Sequence, residues 1–168
     1  MTTSKFTWII FGIFVISVWV LGSTVQAGAQ TSVLKEYTTA WNSHDTEKVV
    51  SFFTDDCVYE DIGFSKTNHG KEELRAFING FFAAFPDTDF ELKSSFVSGN
   101  WYCGEWVWSG THTGNTPGLP ATGKRFSVRG VSVGELEEGK IKRNSDYYNK
   151  MDLLQQVGIK LVPASTPK

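Results

Sequence analysis

The sequence predicts an α+β fold in which a curved antiparallel or mixed sheet wraps over N-terminal helices and leaves a cone-shaped cavity. Apolar residues recur at helical spacing between residues 31 and 85, and with a period of two from residue 90 onward. Helices followed by consecutive strands are typical of α+β domains. The long strands predicted are too few to close a barrel, so we expect the sheet to curl over the helices.

Composition favours one globular domain. The chain has 168 residues, of which 40% are hydrophobic and 14% aromatic, and this is enough apolar material for a sizeable core. The formal net charge is −2, and the basic residues are scattered among acidic ones. Nucleic-acid binding would need a basic stripe, so no nucleic-acid partner is predicted.

Residues 1–29 resemble a secretory signal peptide in their order of features. Lys5 precedes an apolar run over residues 8–21, and the small residues Ala27, Gly28 and Ala29 stand before Gln30. The run is shorter than the roughly 20 residues that span a bilayer. We predict cleavage after Ala29 and a secreted or periplasmic protein, with an uncleaved N-terminal membrane anchor as the alternative. The domain is then predicted over residues 30–160, with a mobile tail at 161–168.

The first half of the domain shows three helical patterns. The spacing predicts a helix over residues 31–43, a short helix from residue 45 or 46 to Phe53, and the longest helix over 71–85, which Pro86 ends. A β-rich run over residues 57–63 carries Asp61 near its end, and residues 68–70 are predicted to be a turn.

Four strands are predicted next, over residues 90–97, 101–113, 125–136 and 141–148, before a last helical turn at 151–158. In the second of these strands Trp106, Trp108 and His112 share one face because side chains alternate along a strand. The opposite face carries Glu105, which either pairs with Arg129 on the next strand or is exposed.

Two cysteines, Cys57 and Cys103, lie in apolar strand patterns. Export would permit a disulfide between them. Buried free thiols are the alternative, because the sequence does not give the distance between the two residues.

Seven short strings occur in a characteristic order: WNSHD at 41–45, TDDCVYED at 54–61, HGKEEL at 69–74, FPD at 85–87, GTHTG at 110–114, GKI at 139–141 and LLQQVG at 153–158. Together they resemble the SnoaL-like polyketide cyclase, or ester cyclase, family of the nuclear-transport-factor-2-like superfamily. The resemblance covers roughly residues 32–158. It implies the cone fold, but the superfamily includes both enzymes and non-catalytic proteins, so the fold does not fix a reaction.

In the cyclases that this chain resembles, a carboxylate removes a proton beside a carbonyl, and the enolate attacks a second carbonyl. This chemistry needs a base whose pKa is raised by apolar surroundings and a donor near the enolate oxygen, and it needs no metal or cofactor. The resemblance implies a base on the final strand, where Asp146 is the carboxylate; a solvated, outward-facing Asp146 is the alternative. Many members also carry Asp where this chain has Asn149, and Asn cannot act as a base.

His112 is the predicted second catalytic group, as a donor or proton shuttle. The alternative is a histidine that hydrogen-bonds the neighbouring turn. For Trp41 core packing is the alternative to ligand binding, and for Asp61 it is the role of a turn acid that caps Gly63. The predicted substrate-binding residues are Trp41, Tyr59, Asp61, Trp106, Trp108, Tyr148 and Asn149.

The sequence lacks the motifs of metal-binding, hydrolase and nucleotide-binding sites. His44, His69 and His112 are far apart and show no HxH or HExxH spacing, so no metal site is predicted. The sequence contains no GxSxG, GxGxxG or phosphate-binding loop motif.

Two functions remain open. One is an exported enzyme with cyclase-type or isomerase-type acid/base chemistry on a small apolar carbonyl compound. The other is a secreted, non-catalytic binding module for a small hydrophobic ligand. With either function, the resemblance implies a homodimer formed through the outer sheet face, where Trp101 and Val107 would be available, and membrane contact only through an uncleaved N-terminal segment.

Overall fold

The structure is a computed structural model that describes residues 33–116 and 119–159. The predicted signal segment and the predicted tail at 161–168 lie outside these residues. The described helices are α1 (33–42), α2 (Thr46–Ser51), α3 (Gly70–Ala84) and α4 (Lys150–Gln156). The strands are β1 (Phe53–Asp61), β2 (Lys66–His69), β3 (Asp89–Ser98), β4 (Trp101–Thr111), β5 (Arg125–Glu137) and β6 (Lys140–Tyr148).

These strands form one curved, open sheet in the order β2-β1-β6-β5-β4-β3. All neighbours are antiparallel except β1 and β6, which run parallel. The predicted α+β class and the curved mixed sheet are therefore confirmed. None of the helices in the described ranges has the length and apolarity needed to cross a membrane.

Two predicted boundaries in the first half are wrong. The turn expected at residues 68–70 is largely strand β2, which pairs with β1 through Tyr59 and Asn68. Only Asn68 of this short polar strand is buried, so it carries no apolar alternation. Phe53 belongs to β1 and not to α2, because it pairs with Ile141 on β6 and is completely buried there.

The core lies between α1–α3 and the concave sheet face. Trp41 on α1 packs at ring distances of 5.3 to 5.6 Å against aromatic residues of α3 and β3. The phenylalanines of α3 and of its C-cap pack against this core: Phe77, Phe81, Phe82 and Phe85. Aromatic packing of this kind stabilises a core beyond simple burial.

The outer sheet face matches the predicted alternation. Along β4, Trp106, Trp108 and the following His112 are buried on the concave side. Glu105 points outward and forms the ion pair with Arg129 that was one of the two alternatives. Cys57 and Cys103 are both free thiols, the first buried and the second half-buried.

Candidate functional site

Asp146 on β6 lies at the centre of a hydrogen-bond network. The Tyr59 hydroxyl donates to its Oδ2 at 2.5 Å, and the Ser132 hydroxyl and Asn144 Nδ2 donate to its Oδ1 at 2.5 and 2.8 Å. Sheet register brings these groups together. Ser132 is the direct cross-strand partner of Asp146, Tyr59 is the partner of Asn144, and Asn144 lies two residues before Asp146 on the same face.

This carboxylate faces a cavity of about 40 Å³, which we call the Asp146 pocket. Polar wall groups are few, and they include Ser132 and Asp146 itself. Apolar and aromatic side chains form most of the wall: Leu34, Tyr37, Trp41, Tyr59, Phe90, Leu92, Tyr102 and Trp106. Asp146 as a whole residue is half-buried, because part of its surface borders this cavity. Its carboxylate is surrounded by protein.

Burial shapes the acidity of the network. It raises the pKa of Asp146, and the hydrogen bonds from Ser132, Tyr59 and Asn144 oppose that rise. Burial, reinforced by the charge of Asp146, also raises the pKa of Tyr59 well above its ordinary value. Tyr59 therefore stays protonated and serves as a donor. The Tyr102 hydroxyl extends the network by donating a hydrogen bond to Asn144 Oδ1 at 2.6 Å.

A second buried aspartate lies beside the first. Asp61 is the last residue of β1 and the register partner of Asp146 on the adjacent parallel strand, and its exposed fraction is 6%. It accepts hydrogen bonds from the Tyr148 hydroxyl at 2.9 Å and from the Phe64 backbone N–H at 2.9 Å. At the end of β1 it accepts from a backbone N–H of the following turn, which matches the turn-acid alternative, with Phe64 and not Gly63 as the donor.

Burial raises the pKa of Asp61 to about 6, while the bonds from Phe64 and Tyr148 lower it. The charge of Asp146 adds to the rise, and Lys150 opposes it. This shift moves the pKa of Asp61 from the ordinary carboxyl range toward the range of acid/base groups.

Asp61 borders a larger space of about 610 Å³, the Asp61 groove. The groove lies between α3, the β1–β2 turn, the segment after β4 and Lys150. Its aromatic wall consists of Phe64, Phe77, Phe81 and Phe85, and its charged groups are Asp61, Lys66, Glu73 and Lys150.

An aromatic layer separates the two spaces. Tyr59 of the pocket wall lies 5.2 Å, between ring centroids, from Phe77 of the groove wall. Phe90 of the pocket wall stacks on Phe81 of the groove wall at 6.2 Å. Side chains alone form these contacts.

The predicted site residues divide among these places. Trp41, Tyr59, Trp106 and Asp146 line the Asp146 pocket, and Asp61 lines the groove. Trp108 is buried in the core, where its Nε1 donates to Thr88 Oγ1 at 2.6 Å. Tyr148 hydrogen-bonds Asp61, and its ring lies 6.2 Å from Trp106. Asn149 is exposed and caps α4, because its Oδ1 accepts from the Asp152 N–H at 3.1 Å.

His112 is not part of either wall. It shares the sheet face of Trp106, but it lies six residues further along the chain, about 20 Å in an extended strand. Its ring packs 5.5 Å from Phe85, and burial lowers its pKa. Its Nδ1 lies 3.4 Å from the Thr122 hydroxyl in the neighbouring turn, while its buried Nε2 has no hydrogen-bond partner among the described residues. The structure therefore does not bring the two predicted catalytic residues together, and the contact of His112 with Thr122 matches the turn-bonding alternative.

Several site residues were not predicted from the sequence. Ser132 and Asn144 contact Asp146 only through the registers of β1, β5 and β6. Lys66 and Lys150 reach the groove through the β1–β2 turn and the start of α4. Within residues 33–116 and 119–159, no group of three His, Cys, Asp or Glu side chains is arranged to hold a metal ion.

The model of the SnoaL-like polyketide cyclase family matches residues 31–157. The chain belongs to this family. Two relatives are the aklanonic acid methyl ester cyclases DauD of Streptomyces sp. (strain C5) and DnrD of Streptomyces peucetius. Each is 26% identical over 133 residues, which cover 77% of this chain and 81% and 90% of the two relatives.

A solved SnoaL-like structure from Jannaschia sp. CCS1 superposes with a TM-score of 0.72 at 14% identity, covering 80% of this chain and 95% of that one. This likeness shows the shared fold. SnoaL-like family membership supports cyclase-type chemistry on a small molecule.

Proposed function

We propose that this SnoaL-like protein is an exported enzyme that performs cyclase-type or isomerase-type acid/base chemistry on a small apolar carbonyl compound. One observation carries the proposal. Asp146 is the carboxylate in the wall of an aromatic pocket, and burial raises its pKa toward the range of a general base. The curated relatives, named as methyl ester cyclases, support the carbonyl substrate class.

The network suits proton transfer. Asp146 removes a proton from carbon beside a carbonyl, so that a C–H bond breaks, an O–H bond forms at the carboxyl group and an enolate remains. Since the protonated carboxyl no longer needs three donors, the Tyr59 hydroxyl turns to the enolate oxygen. The enolate carbon attacks a second carbonyl, and the resulting alkoxide recovers the proton from Asp146.

Replacing Asp146 by Asn tests this assignment. We expect kcat/KM for a model β-keto ester to fall by about 10²- to 10⁴-fold, the usual contribution of a general base. Circular dichroism checks that the variant is folded. Unchanged turnover would rule out Asp146 as the base.

Asn149→Asp is the matched variant. Aspartate caps a helix as well as asparagine does, so the fold of α4 is kept while a carboxylate is restored at the position where many family members have one. With Asp146 as the base, turnover changes less than about twofold. A large gain in Asn149→Asp, together with full activity in Asp146→Asn, would rule out Asp146 as the base and show that the wild type lacks a carboxylate the reaction can use at position 149.

A non-catalytic binding module is the second candidate. Two observations favour it: three donors already engage the Asp146 carboxylate, and residue 149 is Asn. Native mass spectrometry after incubation with the β-keto ester separates the two functions. A bound ligand of unchanged chemical structure supports the module, and a cyclised or isomerised product supports the enzyme.

Export is the proposed localisation, on the residue order of segment 1–29. Mass spectrometry of the protein from the secreted or periplasmic fraction should show Gln30 as the first residue. Recovery from the membrane fraction with residues 1–29 intact would establish the anchored alternative.

A homodimer through the outer sheet face is also proposed. Phe96, Cys103 and Val133 are direct neighbours across β3, β4 and β5, and Phe96 and Trp101 are 62% and 51% exposed. Exposed apolar side chains grouped in this way mark partner surfaces. Light scattering should give a dimer that Trp101→Glu dissociates, while a wild-type monomer at tens of micromolar would contradict the proposal.

A further inference from the structure

The two oxygens of the Asp146 carboxylate differ in the number of donors that they accept from. Oδ1 accepts from the Ser132 hydroxyl at 2.5 Å and from Asn144 Nδ2 at 2.8 Å. Among the described residues, Oδ2 accepts from the Tyr59 hydroxyl alone, at 2.5 Å. A carboxylate offers roughly two lone pairs on each oxygen. The two donors therefore occupy Oδ1, and one lone pair of Oδ2 is left for a proton.

Trp106 sets the direction of the Ser132 hydroxyl. Trp106 Nε1 donates to Ser132 Oγ at 2.8 Å. An indole N–H is a donor only, so the Ser132 oxygen accepts this bond and its own hydrogen is left for Asp146 Oδ1. Trp106 thereby keeps Ser132 a donor to the carboxylate.

Tyr102 sets the direction of the Asn144 side-chain amide. Its hydroxyl donates to Asn144 Oδ1 at 2.6 Å, and the two residues are 2% and 0% exposed. Burial raises the pKa of Tyr102 well above its ordinary value, so the phenol keeps its hydrogen. Because Oδ1 of the amide binds this hydrogen, Nδ2 is the end that faces Asp146. A turned amide would place its oxygen against the carboxylate.

Two glycines of β5 make room for these two rings. Gly130 is the direct cross-strand partner of Trp106, and a Cβ there would lie 2.1 Å from the indole ring. Gly134 is the partner of Tyr102, and a Cβ there would lie 2.5 Å from the phenol oxygen. Glycine weakens the interior of a strand and often marks a close approach of another group. Both rings can therefore lie across β5 and reach the two donors of Oδ1.

We propose that Oδ2 of Asp146 is the oxygen that takes the proton from the substrate and later returns it. Trp106 and Tyr102 are positioning residues, which hold the two donors of Oδ1 in their donating direction. In the proton transfer a substrate C–H bond breaks, an O–H bond forms at Oδ2, and the electron pair remains on the substrate as the enolate. The proposal rests on the proposed function for this transfer, but the arrangement of the donors is tested without turnover.

Neutron diffraction from wild-type crystals in D₂O tests which oxygen is protonated. At a pH well below the measured pKa of Asp146, we expect deuterium on Oδ2, with Ser132 and Asn144 still donating to Oδ1. Deuterium on Oδ1, deuterium shared equally by both oxygens, or a Ser132 hydroxyl directed away from Oδ1 would each overturn the proposal. No substrate is needed, so this result stands even where the wild type shows no turnover and the proposed function fails.

Carboxyl ¹³C NMR titration tests the role of Tyr102. Tyr102→Phe keeps the ring but removes the bond to Asn144, so the amide holds the carboxylate less well. The pKa of Asp146 should then rise by about 0.5 to 1. In an Asn144→Ala background, Tyr102→Phe should cause no further rise, because it acts through the amide. An unchanged pKa in Tyr102→Phe, or an equal rise in both backgrounds, would refute this role.

Trp106→Phe should raise the pKa of Asp146 in the same way. Trp108→Phe is its matched control, because Trp108 lies on the same face of β4 but its Nε1 donates to Thr88. The pKa of Asp146 should stay unchanged in the control, and equal rises in the two variants would contradict the role of Trp106. Circular dichroism checks folding, and if Trp106→Phe is unfolded the wild-type neutron map still gives the direction of the Ser132 hydroxyl.

The pH profile of kcat/KM separates positioning from a structural role. A raised pKa of the base moves the acid limb of the profile to higher pH. In Tyr102→Phe and Trp106→Phe, kcat/KM should therefore fall about 3- to 10-fold below that pKa and change little above it. An equal loss at every pH would show a structural role and overturn the proposal.

The NMR signals near Asp146 have to be assigned. Asp61 is the neighbouring carboxyl, and Asp61→Asn identifies its signal. The other titratable groups near Asp146 are tyrosines, whose pKa values burial raises: Tyr37, Tyr59, Tyr102 and Tyr148. They stay protonated across the range in which the two carboxyls titrate.

Discussion

The Asp146 pocket and the Asp61 groove are built around aspartates that are direct partners on adjacent parallel strands, yet they differ in almost every other respect. The pocket has a volume of about 40 Å³, and three side-chain donors hold its carboxylate. The groove has about 610 Å³, and its carboxylate takes one tyrosine hydroxyl and one backbone N–H. The carboxylate of the pocket therefore has more side-chain donors and less open space beside it than the carboxylate of the groove.

Alanine substitution of each aspartate should separate the two regions most strongly. Asp146→Ala leaves Tyr59, Ser132 and Asn144 without their acceptor inside the protein, and we expect a loss of about 3–5 kcal/mol in the free energy of unfolding. Asp61→Ala should cost about 1 kcal/mol or less, because removal of a buried charge offsets the loss of the bonds from Tyr148 and Phe64. Urea unfolding at pH 7.5 measures both, and equal losses would contradict the comparison.

The pH dependence of stability should identify Asp61. Its pKa is raised from 3.8 to about 6, so the native state holds the proton more tightly than the unfolded state. The stability it contributes is complete below pH 3.8 and is lost as the pH rises through 6. At about 1.4 kcal/mol per pKa unit, wild type should lose up to about 3 kcal/mol relative to Asp61→Asn between pH 4 and 7. Parallel stability curves for the two proteins would refute this.

Adding a methyl group tests how tightly each region is packed. At Gly130 a Cβ would lie 2.1 Å from the Trp106 ring, whose Nε1 donates to Ser132 at 2.8 Å. Gly130→Ala should therefore cost about 1–3 kcal/mol. Gly80→Ala at the groove meets open space and should gain up to about 1 kcal/mol from helix propensity. The comparison of packing fails if thermal unfolding shows both variants shifted in the same direction.

The smallest expected effect concerns the two tyrosines. Tyr148→Phe removes a hydrogen bond that lowers the pKa of Asp61, so that pKa should rise further, at a cost of about 1 kcal/mol in stability. Tyr59→Phe should raise the pKa of Asp146 instead. Carboxyl ¹³C NMR titration resolves the two groups. A Tyr148→Phe change that altered only Asp146 would show that the regions are not distinct.

The sequence predicted the fold because its periods report directly on which faces are buried. The change from helical to alternating spacing gave α3 and the strands β3 to β6. Strand β2 was not predicted because Lys66–His69 is polar and buries only Asn68. Phe53 was assigned to the wrong element because the apolar run from Val49 onward fits the end of a helix and the start of a strand equally well.

The site was less accessible to prediction. Asp146 followed from the family resemblance, but its donors depend on strand registers, and a bulge shifts the pairing of β5 and β6 between Glu135 and Leu136. The alternation of side chains along a strand placed His112 on the same sheet face as Trp106. It did not indicate how far His112 lies from the pocket along that strand. The groove forms only where α3 and the β1–β2 turn meet in space. No local sequence pattern therefore indicates that Lys66 and Lys150 line it, or that burial raises the pKa of Asp61.

The aromatic layer between the pocket and the groove has a consequence for access to Asp146. In this layer the Tyr59 ring contacts Phe77 and the Phe90 ring contacts Phe81. Rotation of these side chains would change the contact between the two walls without movement of any strand or helix. Side-chain rotation is faster than the movement of loops or whole elements. The rate of any passage between the groove and the pocket at this layer would therefore depend on how tightly the Tyr59, Phe77, Phe81 and Phe90 rings pack.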